Sequence, residues 1–275
     1  MRKPERLQKS LLHAYVWKRQ TIEQLVEVTG KSHVWVKKQL DTAQSNERPL
    51  IPQTTPLSAD VTFWGRGYGV IVFRSPTRKK NLWWKEIQFE TPWIYKQGLD
   101  HLLKEGWNFT GVVIDGKRGI AQVFENAGIP VQYCQFHQIK TVTKYLTRKP
   151  KTEAGVELRS LTLTLTHTNE ETFRLKLKAW YERHESFLQE RSPAPHTKRG
   201  WEYTHKRVQS AYRSLTTNLC RLFTCQKYPE LNLPNTTNCL DGMFSQIKNR
   251  LAVHRGLRRE RRYKVICEIL KGEEK

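Results

Sequence analysis

Strand and helix signals alternate between residues 59 and 145, and that order limits the chain to few folds. DVTFW and GVIVF flank GRGY at hairpin spacing, and NLWWKEIQFE reads as a third strand. TPWIYKQGLDHLLKEGW carries Ile94, Leu99, Leu102 and Leu103 at helical spacing. TGVVIDG reads as a short buried strand, and RGIAQVFENAGI as a helix ending at Gly128. PVQYCQFH reads as another strand, and HQIKTVTKYL opens another helix. The order β-β-β-α-β-α-β-α predicts an α/β fold, a mixed sheet with helices on both faces. Folds of this kind gather ligands at the carboxyl ends of their parallel strands. Asp115 closes the run GVVID at such an end.

Helical patterns flank this block. Residues 1–45 carry Leu7, Leu11, Leu12, Tyr15 and Val16 on one stripe. Thr21 and Gln24 have capping-box spacing, with Leu25 and Val28 as core positions. Gly30 suits a turn, and Ser32 caps a helix whose inner residues are predicted as Val34, Val36 and Leu40. Two short helices around a glycine turn resemble a helix-turn-helix, with Lys31, His33, Lys37 and Lys38 facing nucleic acid. Residues 46–58 hold three prolines and read as a linker. Residues 146–231 read as helices around the loop SPAPHTKRG, one of them running unbroken through ELRSLTLTLTHTNEETFRLKLKAWYERHESFLQER. From residue 232 a turn leads to CLDGMFSQIKNRLAVH, with Leu240, Phe244, Ile247 and Leu251 on one helical face.

Charge points to the partner. Lys and Arg number 48 against 26 Asp and Glu, a net charge of +22 over 275 residues. That excess favours a polyanion, nucleic acid foremost. No apolar run is long enough to span a bilayer, and the N-terminus lacks a continuous signal-peptide core, so a cytoplasmic, nucleoid-associated protein without a membrane partner is expected. The five cysteines include no CxxC pair, which argues against a zinc ribbon or a disulfide scaffold.

Against this basic background three aspartates stand isolated. Asp60 has no acid after it until Glu86, Asp115 is the only acid between Glu105 and Glu125, and Asp241 the only one between Glu230 and Glu260. Three carboxylates brought together repel unless a cation lies between them, and hard oxygen ligands suit Mg²⁺ or Mn²⁺. Metal, polyanion and basic surface together point to phosphodiester chemistry.

The acid order, with GVVIDG, CQFH, TTNCLDGMFSQIKNRL and HRGL following in sequence, resembles bacterial insertion-sequence DDE/D transposases related to the mutator-like group. The resemblance covers residues 60–262. It implies a ribonuclease-H-like core from 59–145 and 232–275 with a helical insertion at 146–231, beside the helix-turn-helix read from the residues over 1–45. It further implies Asp60, Asp115 and Asp241 as catalytic and metal-binding residues around two Mg²⁺ or Mn²⁺ ions. Its implied partners are element-end and target DNA, with a homodimer or larger assembly to join two ends. Many relatives carry Glu as the third acid. Asp241 is one methylene shorter, so its backbone has to approach the metals more closely. Glu202, in GWEYTH, is the alternative third ligand.

Other residues read as supporting groups. The segment Lys248–Lys264 holds eight Lys or Arg and one Glu. From it, Lys248, Arg250, Arg255, Arg258 and Arg259 are expected at DNA, together with Lys140, Lys144, Arg148 and Lys149. Trp180 and Trp201 are candidates for base stacking, against the commoner alternative of core packing. Cys134 and His137 form a C-x-x-H without a second metal-ligand pair, and a buried Cys beside a helix-start His is the preferred reading. The resemblance includes a C-x-x-H at this place, near the active site, in a structural or supporting role.

Overall fold

The computed structural model describes residues 3–44, 49–254 and 256–272. Its elements are α1 (Lys3–Val16), α2 (Ile22–Thr29), α3 (His33–Thr42), β1 (Thr54–Phe63), β2 (Gly69–Ser75), β3 (Lys80–Ile87), α4 (Pro92–Lys104), β4 (Asn108–Ile114), α5 (Ile120–Glu125), β5 (Val131–Tyr133) and α6 (Gln135–Leu146). These are followed by α7 (Glu153–Leu163), α8 (Glu170–Gln189), β6 (Arg191–Pro193), β7 (Trp201–Tyr203), α9 (Lys206–Leu222), α10 (Thr224–Lys227), α11 (Asn238–Leu251) and α12 (Arg259–Lys271). The main sheet has five strands in the order β3-β2-β1-β4-β5. β1 pairs antiparallel with β2 and parallel with β4; β3 joins β2 antiparallel, and β5 joins β4 parallel. This mixed sheet, flanked by helices, is compatible with a ribonuclease-H-like fold.

Side-chain alternation along β1 sets up the two layers. Leu57, Ala59, Val61 and Phe63 face one core, which holds Tyr95, Leu99 and Leu102 of α4, Ile120 and Phe124 of α5, Val142 of α6 and the apolar faces of α7, α8 and α9. Ser58, Asp60 and Thr62 alternate with them and are also buried. On the opposite side, Val70 and Val72 of β2 pack with Leu240, Phe244, Ile247 and Leu251 of α11 and with Val265, Ile266 and Ile269 of α12. Leu11, Leu12, Tyr15, Val16, Leu25, Val36 and Leu40 of the first three helices belong to that same core. Arg261 clamps Asp41 through both oxygens at 2.8 and 2.7 Å, tying α12 to α3. Among the described residues no helix is long and apolar enough to cross a membrane.

Local chemistry explains the joints. Thr21 and Gln24 form the capping box at the start of α2, Gly30 ends it at φ 63°, and the Ser32 side chain accepts from the Trp35 amide to start α3. Each of these helices buries a narrow stripe. Val28 and Val34, expected inside, are 74% and 77% exposed, because Leu25, Val36 and Leu40 fill the contact. Leu7 and Leu103 likewise lie at the margin of their stripes and remain exposed.

Four boundaries differ from the sequence expectation. β1 begins at Thr54, inside the presumed linker. Pro56, which cannot donate to a ladder, coincides with a shift in the β1–β4 register between Thr55 and Leu57, so the strand tolerates it. β5 ends at Tyr133 and α6 starts at Gln135, leaving Cys134 at the junction. The helix expected to run through 157–191 breaks between α7 and α8. Thr162 and Thr164 hydroxyls fold back on the carbonyls of Leu158 and Leu161, and Asn169 caps α8 by accepting from the Thr172 amide. SPAPHTKRG begins inside a small hairpin: Ser192 and Pro193 belong to β6 and pair with Glu202 and Trp201 of β7.

Gly98 on α4 lies tight against side chains of the sheet. A Cβ there would lie 2.6 Å from the Trp83 ring and 2.9 Å from Phe73. Helix propensity alone favours Ala over Gly by about 1 kcal/mol. Overpacking against two core rings opposes it, so Gly98→Ala is expected to destabilise by about 1–3 kcal/mol. Urea unfolding checks this: a stabilised variant would mean the rings yield freely.

Candidate active site

The alternation that buries Asp60 also aims it. Asp60 lies on β1, the middle strand, on the face that α11 covers. Ser58 pairs with Val113 in the parallel register, so two residues further on Asp115 leaves β4 level with Asp60. β5 then delivers Cys134 at the N-cap of α6, with His137 in the first turn. Asp241 sits in the first turn of α11, after the turn through Thr236 and Thr237. Segments far apart in the chain thus meet at the carboxyl ends of the parallel strands.

One ligand atom each from Asp60, His137 and Asp241 lies within 4.8 Å of the others. The cleft around them has a volume of about 430 Å³ and is also lined by Asp115, Glu90, Phe63, Phe244 and Lys248. Asp115 shares this wall without joining the tight group, and its Oδ1 accepts the Lys117 amide at 2.9 Å. Glu90 is held by the Tyr95 hydroxyl at 2.9 Å and the Lys117 ammonium at 3.0 Å. Lys140 stands 3.7 Å from Asp241 on the exposed rim, a screened contact of small energetic value.

Burial governs the electrostatics. Asp60 is 6% exposed, and the loss of water pushes its carboxyl up to about 7. His137 and the Val61 amide pull it down, while Asp115 and Asp241 push it further up. His137 is raised to about 9, first by its hydrogen bond to Cys134, against the opposing effect of burial. Burial also pushes the Cys134 thiol up, yet hydrogen bonds from His137 and Thr237 carry it below the ordinary cysteine value. The Thr237 amide and hydroxyl each reach Cys134 Sγ at 3.3 Å. The turn before α11 is therefore fastened to the start of α6, which fixes Asp241 relative to His137.

These residues fit a divalent cation. Asp60 is a buried carboxylate crowded by two others, and the positive group acting on it is the imidazole of His137. A cation among these oxygens would relieve both burial and repulsion. The oxygen-rich set suits Mg²⁺ or Mn²⁺, and the imidazole nitrogen is a softer donor than Mg²⁺ prefers.

Of the expected site residues, Asp60, Asp115 and Asp241 share the cleft. Glu202 does not: it lies on β7, paired with Lys206 and His196. His137 is the member that sequence reasoning left in a supporting role; the signal was C-x-x-H placed at a strand-to-helix junction. Lys140 and Lys248 stand exposed at the cleft, and Lys144, Arg148, Lys149 and Arg258 are exposed nearby in sequence. Lys31, His33, Lys37 and Lys38 are exposed on α3 and the turn before it. Arg250 instead turns inward, donating to the carbonyls of Val16 and Trp17 at 3.3 and 3.2 Å and covering the Trp17 ring, because the end of α1 offers it acceptors. Arg259 pairs with Glu86. Arg255 lies outside the described residues. Trp180 is a core residue, its ring against Tyr212 and its Nε1 donating to Ala154 O at 3.1 Å. Trp201 carries the guanidinium of Arg191 4.0 Å from its ring centre.

No protein-family model matches the chain, and no curated protein matches it.

Proposed function

We propose that this protein is a DNA transposase of the DDE/D type, cleaving and joining DNA strands with divalent metal at the Asp60–Asp115–Asp241 cleft. The observation that carries the reading is the meeting of Asp60 and Asp241 within 4.8 Å of each other and of His137. The strand order β3-β2-β1-β4-β5 supports a ribonuclease-H-like core. The net charge of +22 supports a nucleic-acid substrate. On this reading α2 and α3 are a helix-turn-helix and the helices from α7 to α10 an insertion between the second and third acids.

Asp60, Asp115 and Asp241 would hold Mg²⁺ or Mn²⁺, two ions in the usual form of this chemistry. Bound there, the metal supplies the charge that activates a water or a 3′-hydroxyl and steadies the departing oxygen. The chain's own residues do the positioning. Lys140 and Lys248 flank the acids and meet phosphates entering the cleft. Phe63 and Phe244 wall the cleft with apolar surface and limit water. Cys134 and Thr237 hold the His137 ring beside Asp60. The Asp241 carboxylate arrives on a helix start, where a negative side chain is favoured.

Supercoiled plasmid incubated with the protein in millimolar Mg²⁺ or Mn²⁺ is expected to be nicked or linearised, and a chelator is expected to stop it. A plasmid bound tightly yet left intact in both metals would point to a DNA-binding regulator instead.

A further inference from the structure

The turn that carries Asp241 is anchored from outside itself. Residues 232–237, which lead into α11, form no strand or helix of their own. Thr237 stands at the N-cap of α11 yet makes no side-chain cap there; its hydroxyl goes to Cys134 instead. The Thr237 carbonyl accepts the Asp241 amide at 3.1 Å, so whatever fixes the turn fixes the acid. Gln135, the first residue of α6, grips the same turn twice. Its main-chain amide donates to the Asn235 carbonyl at 3.0 Å, and its Oε1 accepts from Asn235 Nδ2 at 3.0 Å. Gln135 Nε2 then donates to the Leu222 carbonyl at 2.8 Å.

Leu222 is the last residue of α9, and the final carbonyls of a helix lack partners within it. Gln132 of β5 donates to the same oxygen at 2.8 Å, so two amide side chains close this helix end. Both glutamines are fully buried, where leaving a polar group unpaired is costly, and that cost holds the three segments in register. One side chain, Gln135, thus spans the turn before α11 and the end of α9. We propose that Gln135 is a positioning residue for Asp241. It holds the acid's turn against the end of α9, so the helices between the second and third acids take part in setting the metal site. The inference rests on the reading of Asp241 as a metal ligand. Gln138, one turn along α6, supplies an internal comparison. It bonds Ser214 and Asn218 of α9 at 2.9 and 2.8 Å and, among the described residues, has no hydrogen bond to the turn.

The test is the Mn²⁺ affinity of the full chain without DNA, read from the electron-spin signal of the free ion during titration. Gln135→Leu keeps similar volume and removes the amide. It is expected to weaken Mn²⁺ binding about tenfold or more, the usual loss when a group that orients a metal ligand is removed. Asn235→Ala leaves the main-chain bond and the Gln135–Leu222 bond in place. It is expected to weaken binding by about fivefold, the effect of one neutral hydrogen bond. Both are expected to lower kcat for plasmid cleavage and leave KM for DNA unchanged. Asn218→Ala breaks a bond of the same kind between α6 and α9, and is expected to lower the melting temperature with Mn²⁺ affinity unchanged. Wild-type Mn²⁺ affinity in Gln135→Leu overturns the inference; should that variant fail to fold, Asn235→Ala decides by the same measure. An equal loss in Asn218→Ala also overturns it, since loosening α9 anywhere would then disturb the site. A wild-type chain that takes up no Mn²⁺ removes the metal site itself, a failure distinct from an intact site indifferent to Gln135.

Discussion

Asp241→Asn and Asp60→Asn are each expected to lower DNA cleavage by about 10³-fold or more, in the range for losing one preorganised charge at a reacting centre. Each removes one negative charge and nearly no volume. Asp115→Asn is expected to belong to the same class, although its carboxylate stands outside the tightest group. Groups that act as a unit are not additive, so the Asp60→Asn, Asp241→Asn double variant should fall little further than either single one. Lys140→Ala is the contrast. Its partner contact with Asp241 is 3.7 Å long and solvent-exposed, so its removal should cost less than about tenfold and little stability. Plasmid cleavage measures the loss, and a gel shift in chelator shows whether DNA binding survives. Wild-type cleavage by Asp241→Asn would remove α11 from the chemistry altogether.

Much of the architecture could be read from periodicity. The order from β1 to α6 follows from apolar alternation and helical spacing, and the capping signals of α2 and α3 appear at Thr21, Gln24, Gly30 and Ser32. Isolation in a basic chain marked the three aspartates, because an acid kept among many cations is uncommon without a use. What escaped detection depends on tertiary context. Pro56 disguised the start of β1, since its cost depends on a register shift that local sequence does not reveal. Thr and Asn in TLTLTHTN looked like helix interior until their side chains bonded back to the chain. Arg250 looked like part of a basic run, and only the position of α1 turns it inward. His137 was visible as C-x-x-H, but its nearness to Asp60 depends on how α6 meets the sheet.

Asp60→Asn is also expected to make the protein more stable, and by an amount that grows with pH. A carboxyl raised from 3.8 to about 7 by burial keeps its proton in the folded state while the unfolded chain has already released it. Between those values the folded state binds more protons, so wild-type stability falls as pH rises through this window and levels off above it. The asparagine cannot ionise and escapes that loss. A shift of about 3 units corresponds to at most about 4 kcal/mol, and relaxation of the site reduces it to roughly half. The variant should therefore melt several degrees above the wild type at pH 8, with the gap closing toward pH 4. Millimolar Mn²⁺ should narrow the gap at pH 8 by stabilising the wild type alone, since an ion binding only the folded state raises its melting temperature. Equal Mn²⁺ shifts in both proteins would place the ion elsewhere, and a less stable Asp60→Asn at pH 8 would mean that the carboxylate is already compensated by the protein. Native burial of an acid beside two more is unfavourable in the apoprotein, and a bound cation is what converts that arrangement into a favourable one.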